Sequence, residues 1–289
     1  MYVPYFILIA CIIAARLFPV KPLTLGIIGC LVVCLAAGAV GMMSWIGLIG
    51  IAMTVAAADL ATNASTQRTK VIGHLLVGLF ALALSLHYLK ITNYRVFENL
   101  KLSEGATPFT LYANFDKGLA GFVLLVFFCK RIAANTILSD LRKIWFTALI
   151  AIAVIFSLGV ASGWIAFQAP FKPFTGEFLI INLFLVCVAE EAFFRGFLQE
   201  LIYKKWPSTP NSIRNALTVF FLAMIFGLLH FNAAITLPSA LISVGLVVVL
   251  SVACGQVYAL TRRIEYPIFL HFTVNAIHYL FFSYPTLLH

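Results

Sequence analysis

The chain has 289 residues, of which 63% are hydrophobic and only 10% charged, with a mean hydropathy of +1.05. A soluble domain carries roughly 25% charge, so a soluble fold is excluded and an all-α, polytopic transmembrane helical bundle is expected. The net charge of +9 is spread through short loops with no aromatic-rich basic patch, which argues against nucleic acid as a partner.

Apolar runs define about eight to ten spans, near 2–15, 22–43, 45–61, 71–89, 109–129, 144–166, 178–203, 213–231, 238–260 and 266–283. They lack the alternating pattern of a membrane barrel. The first run has no basic residues before it and reads as a span rather than a cleaved signal. Asp59, His74 and His87 are scattered near the ends of the early spans. The polar connection 90–108, KITNYRVFENLKLSEGATP, is expected to hold a short interfacial helix. A second polar stretch, 131–143, is expected to separate N-terminal spans of unassigned role (1–143) from a C-terminal core (144–289).

Cys11, Cys30, Cys34, Cys129, Cys187 and Cys254 lie within or at the ends of apolar runs, form no CxxC pair, and read as small buried hydrophobes. Arg16, Lys21, Arg68, Lys70, Lys130, Arg131, Arg142, Lys143, Lys204, Lys205, Arg214, Arg262 and Arg263 fall in alternate loops. The other loops hold only Lys90, Arg95, Lys101, Lys117 and Lys172. This asymmetry places the richer set in the cytoplasm and both termini outside.

The seventh run breaks its apolar pattern with VAEEAFFRGF at 188–197. A charge at mid-bilayer costs about 2.5–3.5 kcal/mol on insertion scales, so three charges in six residues need a reason. Glu191 and Arg195 are at i and i+4 with the acid first, the better orientation for a helical ion pair. Glu190 points about 100° away and has no local partner. One carboxylate is thus structurally engaged and the other is left for chemistry, which suits a general base. A purely structural ion network is the competing explanation.

The eighth run ends in Phe226-Gly-Leu-Leu-His230, whose first and last residues share a helix face; a lone histidine there also fits a packing role. The tenth holds His271-Phe-Thr-Val-Asn275, with an imidazole and a carboxamide on one face, both able to donate toward a common point. Pro267 fits the first turn of that helix, and His278 falls on the same stripe as a packing residue. Together the clusters supply a base, two histidines and an amide donor, the parts that hydrolysis of a carbonyl compound requires.

EExxxR, FxxxH and HxxxN, in that order and each in an apolar run, resemble the CPBP family, also called Abi. That family contains the CAAX prenyl endopeptidases and bacterial relatives linked to bacteriocin self-immunity and peptide processing. The resemblance covers roughly 144–283 and implies a glutamate-type intramembrane endopeptidase without a cofactor. Glu190 and His230 would activate water, and His271 and Asn275 would stabilise the oxyanion. Glu191 and Arg195 would hold the first helix in register, with Phe226 walling the site. The substrate expected is a membrane-associated protein or peptide, handled within the lipid bilayer of a bacterial inner (cell) membrane.

Three alternatives remain open at this level. Glu190, His230 and His271 form a two-His, one-carboxylate set that zinc could use, although no HExxH signature is present. Buried Glu, His and Arg could instead line a transporter path, although no internal repeat is evident. A non-catalytic immunity factor on the same scaffold is the third. Straight helices put Glu190 at mid-span, His230 near one face and His271 near the other, so a shared site requires helices tilted or broken about Pro238 and Pro267.

Overall fold

The computed structural model describes residues 2–130, 137–169, 171–231 and 236–287. Each of the ten expected runs contains a helix: α1 Val3–Leu17, α2 Pro22–Ala39, α3 Trp45–Asn63, α4 Gln67–Ser85, α5 Phe115–Phe128, α6 Ile137–Ala161, α7 over 175–205, α8 Ile213–Leu228, α9 Leu237–Thr261 and α10 Glu265–Phe281. The chain is an integral membrane protein and an all-α polytopic bundle. Helices α2, α3, α4, α6 and α9 are long and apolar enough to cross a membrane by themselves; α1 and α8 are shorter apolar helices. Leu31, Leu35, Ile49, Leu75, Leu79, Phe146 and Leu149 stand exposed on these helices, as suits a lipid-facing exterior, where hydrocarbon rather than water is the solvent.

The helix boundaries follow local chemistry. Ser44, Thr66 and Ser212 each accept a backbone N–H from the first turn of α3, α4 and α8 respectively. Proline sits in the opening turn of α1, α2 and α9, where its missing N–H costs nothing. Arg262 closes α9 in the left-handed conformation. Pro267 lies in the first turn of α10, as expected. Neither Pro238 nor Pro267 breaks a helix; each marks a beginning.

One expectation about the connections is corrected, and a position taken as a boundary proves to be helical. Segment 90–108 contains no interfacial helix. Tyr94–Leu100 (β1) instead pairs with Phe109–Ala113 (β2) in a two-stranded sheet. Lys90, Asn99 and Gly105 all have positive φ, a conformation no α-helix can hold, and the β-forming residues between them take up the strands. The boundary expected at residue 143 falls inside α6, because Asp140 and Lys143 of that polar stretch are helical. Buried Asp140 lies 3.1 Å from Lys143 and 3.2 Å from Arg263, so its charge is matched where it enters the helix. Residues 131–136 of the expected seam lie outside the described residues.

The chain divides into two compact units that interleave in sequence. The first comprises Met1–Arg95, Tyr112–Cys129 and Ile180–Phe197. Its centre is α5, in which Leu119, Phe122, Val123, Leu124 and Leu125 are all buried; a helix apolar on every side is a core helix. It packs against α1, α2, α3, α4 and the Val188–Glu191 turn of α7. Glycine makes the last contact close. A Cβ on Gly121 would lie 2.7 Å from the Ala189 backbone, and one on Gly118 2.6 Å from Leu185.

The second unit comprises Val96–Leu111, Lys130–Leu179 and Leu198–His289. Here α9 packs against α6, α8 and α10 around Ile144, Ile155, Leu250, Cys254, Leu270 and Val274. Gln199 donates to the Tyr203 hydroxyl and to the Gly255 carbonyl, and Tyr203 donates in turn to Asn215. This satisfies polar groups that would otherwise be costly in an apolar interior. The described cysteines are all free thiols, and Cys30, Cys34, Cys187 and Cys254 are buried as expected.

The Gly121 contact gives a direct test of this packing. Gly121→Ala should lower the thermal midpoint in detergent by the cost of overpacking, roughly 1–3 kcal/mol, because the group it meets is backbone and cannot rotate away. Gly245→Ala, with nothing within 4 Å of the added carbon, should leave the midpoint unchanged or slightly raised. Equal midpoints for the two variants would contradict the close approach of α5 to α7.

Candidate active site

The acidic motif occupies a helix that twice leaves α winding for π. Within α7, Thr175–Ile181 is α-helical, Asn182–Cys187 π-helical, Val188–Glu191 α-helical, Ala192–Gln199 π-helical and Glu200–Lys205 α-helical again. π-Helical turns are rare and cluster at functional sites. The Cys187 thiol donates to Asn182 Oδ1 at 3.2 Å, a five-residue spacing that follows the wider π register. The irregularity of this region lies in the winding of α7 itself. No proline marks it.

Glu191 and Arg195 form the expected i,i+4 pair at 3.1 Å, and both are buried, at 0% and 2% exposure. Arg195 also stacks its guanidinium over Phe194 at 5.8 Å. Glu190 corrects the reading that it lacks a partner. The Lys117 ammonium donates to Glu190 Oε1 at 2.6 Å. The partner comes from α5, 73 residues upstream, beyond the reach of local spacing rules. Lys117 is therefore a cation of the first unit's interior rather than a loop charge. Lys172 lies in the connection before α7, as expected, yet it too is withdrawn from solvent. It is 2% exposed and donates to the Phe282 carbonyl at 3.2 Å, and burial lowers its pKa from the ordinary lysine value.

The first turn of α5 is held by its own polar contacts. Buried Asp116 lies 2.8 Å from His87 Nδ1, and its other oxygen accepts the Lys117 backbone N–H at 2.8 Å. Asn93 Oδ1 accepts the Phe115 N–H at 2.6 Å. An acid at a helix N-terminus is also favoured by the helix dipole. These contacts fix the turn that leads into Lys117 and the backbone N–H of Lys117 itself.

The histidine clusters lie in the second unit. His230 sits just past the end of α8, and its Nδ1 is 2.8 Å from the Phe226 carbonyl. A carbonyl can only accept, so Nδ1 carries the proton, and in the neutral ring Nε2 is the basic nitrogen. Phe226 is buried and touches both imidazoles. Its ring centroid is 4.5 Å from that of His230 and 6.0 Å from that of His271, the latter edge-on at 83°. His271 is buried in α10 and Asn275, one turn on, is half-buried. Gly227 seats this stretch of α8, since a Cβ there would meet Val248 at 2.5 Å. His278 packs against Trp164 and Tyr284, with Nε2 3.2 Å from the Ser283 carbonyl, which agrees with a packing role.

Within the units, then, the structure brings Glu190 to Lys117, Glu191 to Arg195, and His230 and His271 to Phe226. Lys117 was missed by local reasoning. A signal for it did exist: Lys117 and Gly121 are four apart on a helix whose Gly118-Leu-Ala-Gly121 pattern permits close approach. No three His, Cys, Asp or Glu side chains among the described residues are grouped as metal ligands.

Residues 172–277 match the family model described as Type II CAAX prenyl endopeptidase Rce1-like. The match agrees with the CPBP family that the motifs resemble. The match is narrower than the 144–283 suggested by the motifs, yet it contains Glu190, Glu191, Arg195, Phe226, His230, His271 and Asn275. Such a match supports intramembrane endopeptidase activity in general terms. Neither a curated protein nor a solved structure matches the chain.

The pair at Glu191 makes a stability prediction of its own. Glu191→Gln or Arg195→Ala leaves a buried charge without its ion-pair partner, a loss of roughly 3–5 kcal/mol. Both variants should give a much lower yield of monodisperse protein on size-exclusion chromatography. Wild-type yield from both would show that the pair does not brace α7.

Proposed function

We propose that the protein is an intramembrane endopeptidase that hydrolyses peptide bonds of membrane-associated proteins or peptides in a bacterial inner membrane. Glu190 and His230 take a proton from water, and the resulting hydroxide attacks the scissile carbonyl carbon. The carbonyl π electrons move to oxygen, and the oxyanion accepts hydrogen bonds from His271 and Asn275. Collapse of the tetrahedral intermediate breaks the C–N bond, and the proton taken from water passes to the leaving amine. Glu191 and Arg195 keep the helix carrying the base in register, and Phe226 sets the spacing of the two imidazoles.

The observation that carries this reading is the 2.8 Å contact of His230 Nδ1 with the Phe226 carbonyl. The Nδ1–H is engaged there, so the nitrogen able to accept a proton is Nε2. The four proposed catalytic residues also fall, in order, within the 172–277 family match. Metal is not assigned a role. Glu190 Oε1 holds the Lys117 ammonium at 2.6 Å, and zinc would have to compete with that cation for the same carboxylate.

Proteoliposomes of wild type and Glu190→Gln, incubated with membrane peptides from cells lacking the protein and read by mass spectrometry, test the assignment. Cleavage products should appear with wild type alone when equal amounts of folded protein are compared, since Glu190→Gln also strands the Lys117 ammonium and lowers the yield. Equal cleavage by Glu190→Gln would overturn it. On a peptide so identified, Asn275→Ala should lower kcat by about 100- to 1000-fold, the usual loss for one oxyanion donor, with little change in KM. A change confined to KM would make Asn275 a substrate-binding residue instead.

Elemental analysis gives a separate check. Purified protein should hold well under one equivalent of zinc and keep its activity in a strong chelator. A stoichiometric ion whose removal abolishes cleavage would reassign Glu190 as a ligand and give its proton-transfer role to another group.

A further inference from the structure

We propose that Lys117 is a positioning residue for Glu190, so that the N-terminal half of the chain completes a catalytic apparatus whose recognisable motifs all lie in the C-terminal half. The proposal rests on the reading of Glu190 as the base. It extends beyond the family match, since Lys117 lies outside the matched segment 172–277.

The geometry is specific. The ammonium-to-carboxylate distance of 2.6 Å is at the short end for a charge-assisted hydrogen bond. The two side chains are 18% and 11% exposed, so the pair is largely removed from solvent, where such a contact is screened least. A glutamate at the end of a three-bond side chain can present its oxygens in many directions. A general base must hold one of them within about 2.6–3.2 Å of the proton it removes. An ammonium fixed on Oε1 removes most of that freedom. It does not exhaust the carboxylate, which offers about four acceptor directions over its two oxygens.

Lysine is by itself a poor choice for precise placement, because its flexible stem must be ordered. Here the surrounding structure supplies the order. Helix α5 is buried along nearly its whole length, which fixes its axis. Contacts of Asn93 to the Phe115 N–H and of Asp116 to the Lys117 N–H fix its first turn. Gly121, one turn beyond Lys117, lets α5 touch the backbone at Ala189, the residue before Glu190. The same face of α5 thus delivers a close helix contact and, one turn earlier, a cation. A charge present only to neutralise Glu190 would not need a helix fastened at both its first turn and its contact face.

The test uses full-length protein in proteoliposomes and a membrane peptide whose cleavage is lost in Glu190→Gln. Lys117→Met should lower kcat roughly 100-fold, the loss expected when a reacting group is misplaced by about 1 Å, and leave KM within about twofold. Lys117→Arg keeps the charge and therefore the fold. Its planar, longer head cannot reproduce the same point contact, so it should recover only part of the loss, with kcat about tenfold below wild type. In the Glu190→Gln background, Lys117→Met should cause no further drop in the residual rate.

Wild-type kcat in Lys117→Met, or in Lys117→Arg where the methionine variant does not fold, would overturn the proposal. A loss confined to KM would also overturn it and make the lysine a substrate contact. So would a rise in kcat, which would mean that the ammonium restrains the base. Failure of the underlying reading looks different. If no peptide depends on Glu190, the endopeptidase assignment falls first, whatever Lys117 does.

Discussion

Ionised side chains survive in an apolar bundle only where each meets an opposite charge or a set of hydrogen bonds. The interaction on which this architecture turns is the contact between Lys117 and Glu190, which joins the buried shaft of the first unit to the acidic motif. Other charges are paired as well, Glu191 with Arg195 and, in the second unit, Asp140 with Arg263, while Asp116 is held by His87 Nδ1 and the Lys117 N–H. Each match is local, and each lets a polar group occupy an otherwise hydrocarbon-like setting. The glycines of α5 belong to the same constraint, because a lysine reaches a buried carboxylate only if the two backbones lie close together.

Division of labour between neighbouring carboxylates follows from helix geometry. Glu190 and Glu191 occupy a short α-helical stretch between two π-helical ones, so their side chains diverge toward different partners. One engages its own helix through Arg195 and the other engages α5. The π-helical turns widen the backbone on both sides of the pair, and their rarity elsewhere in proteins fits a segment built for chemistry rather than for spanning alone. In the second unit, Phe226 performs a comparable spacing function. It is buried between two imidazoles and lends its own carbonyl to set the tautomer of one of them.

The helical class, the position of all ten apolar segments, the Glu191–Arg195 pair and the sharing of one face by Phe226 and His230 were legible in the sequence, because each depends on composition or on spacings within one turn. What escaped was non-local or irregular. Lys117 lies 73 residues from Glu190 and looks, by composition alone, like one more loop cation. The π-helical turns of α7 carry no proline to announce them. The strand pair at 94–113 was hidden by a polar composition that fits an amphipathic helix equally well, and only the positive-φ positions at Asn99 and Gly105 explain why a helix does not form. The division at residue 143 rested on polarity, and Asp140 and Lys143 there lie within α6, with Asp140 paired to Lys143 and to Arg263.

The account's central claim is that Glu190 and His230 act on one water in one step. A double-mutant cycle on the rate measures this directly, comparing Glu190→Gln, His230→Ala and the double variant on a single membrane peptide. Residues that act as a unit are strongly non-additive. The account predicts that the double variant cleaves no more slowly than the slower single variant. Losses that multiply across the two substitutions would contradict it and place the carboxylate and the imidazole in separate steps.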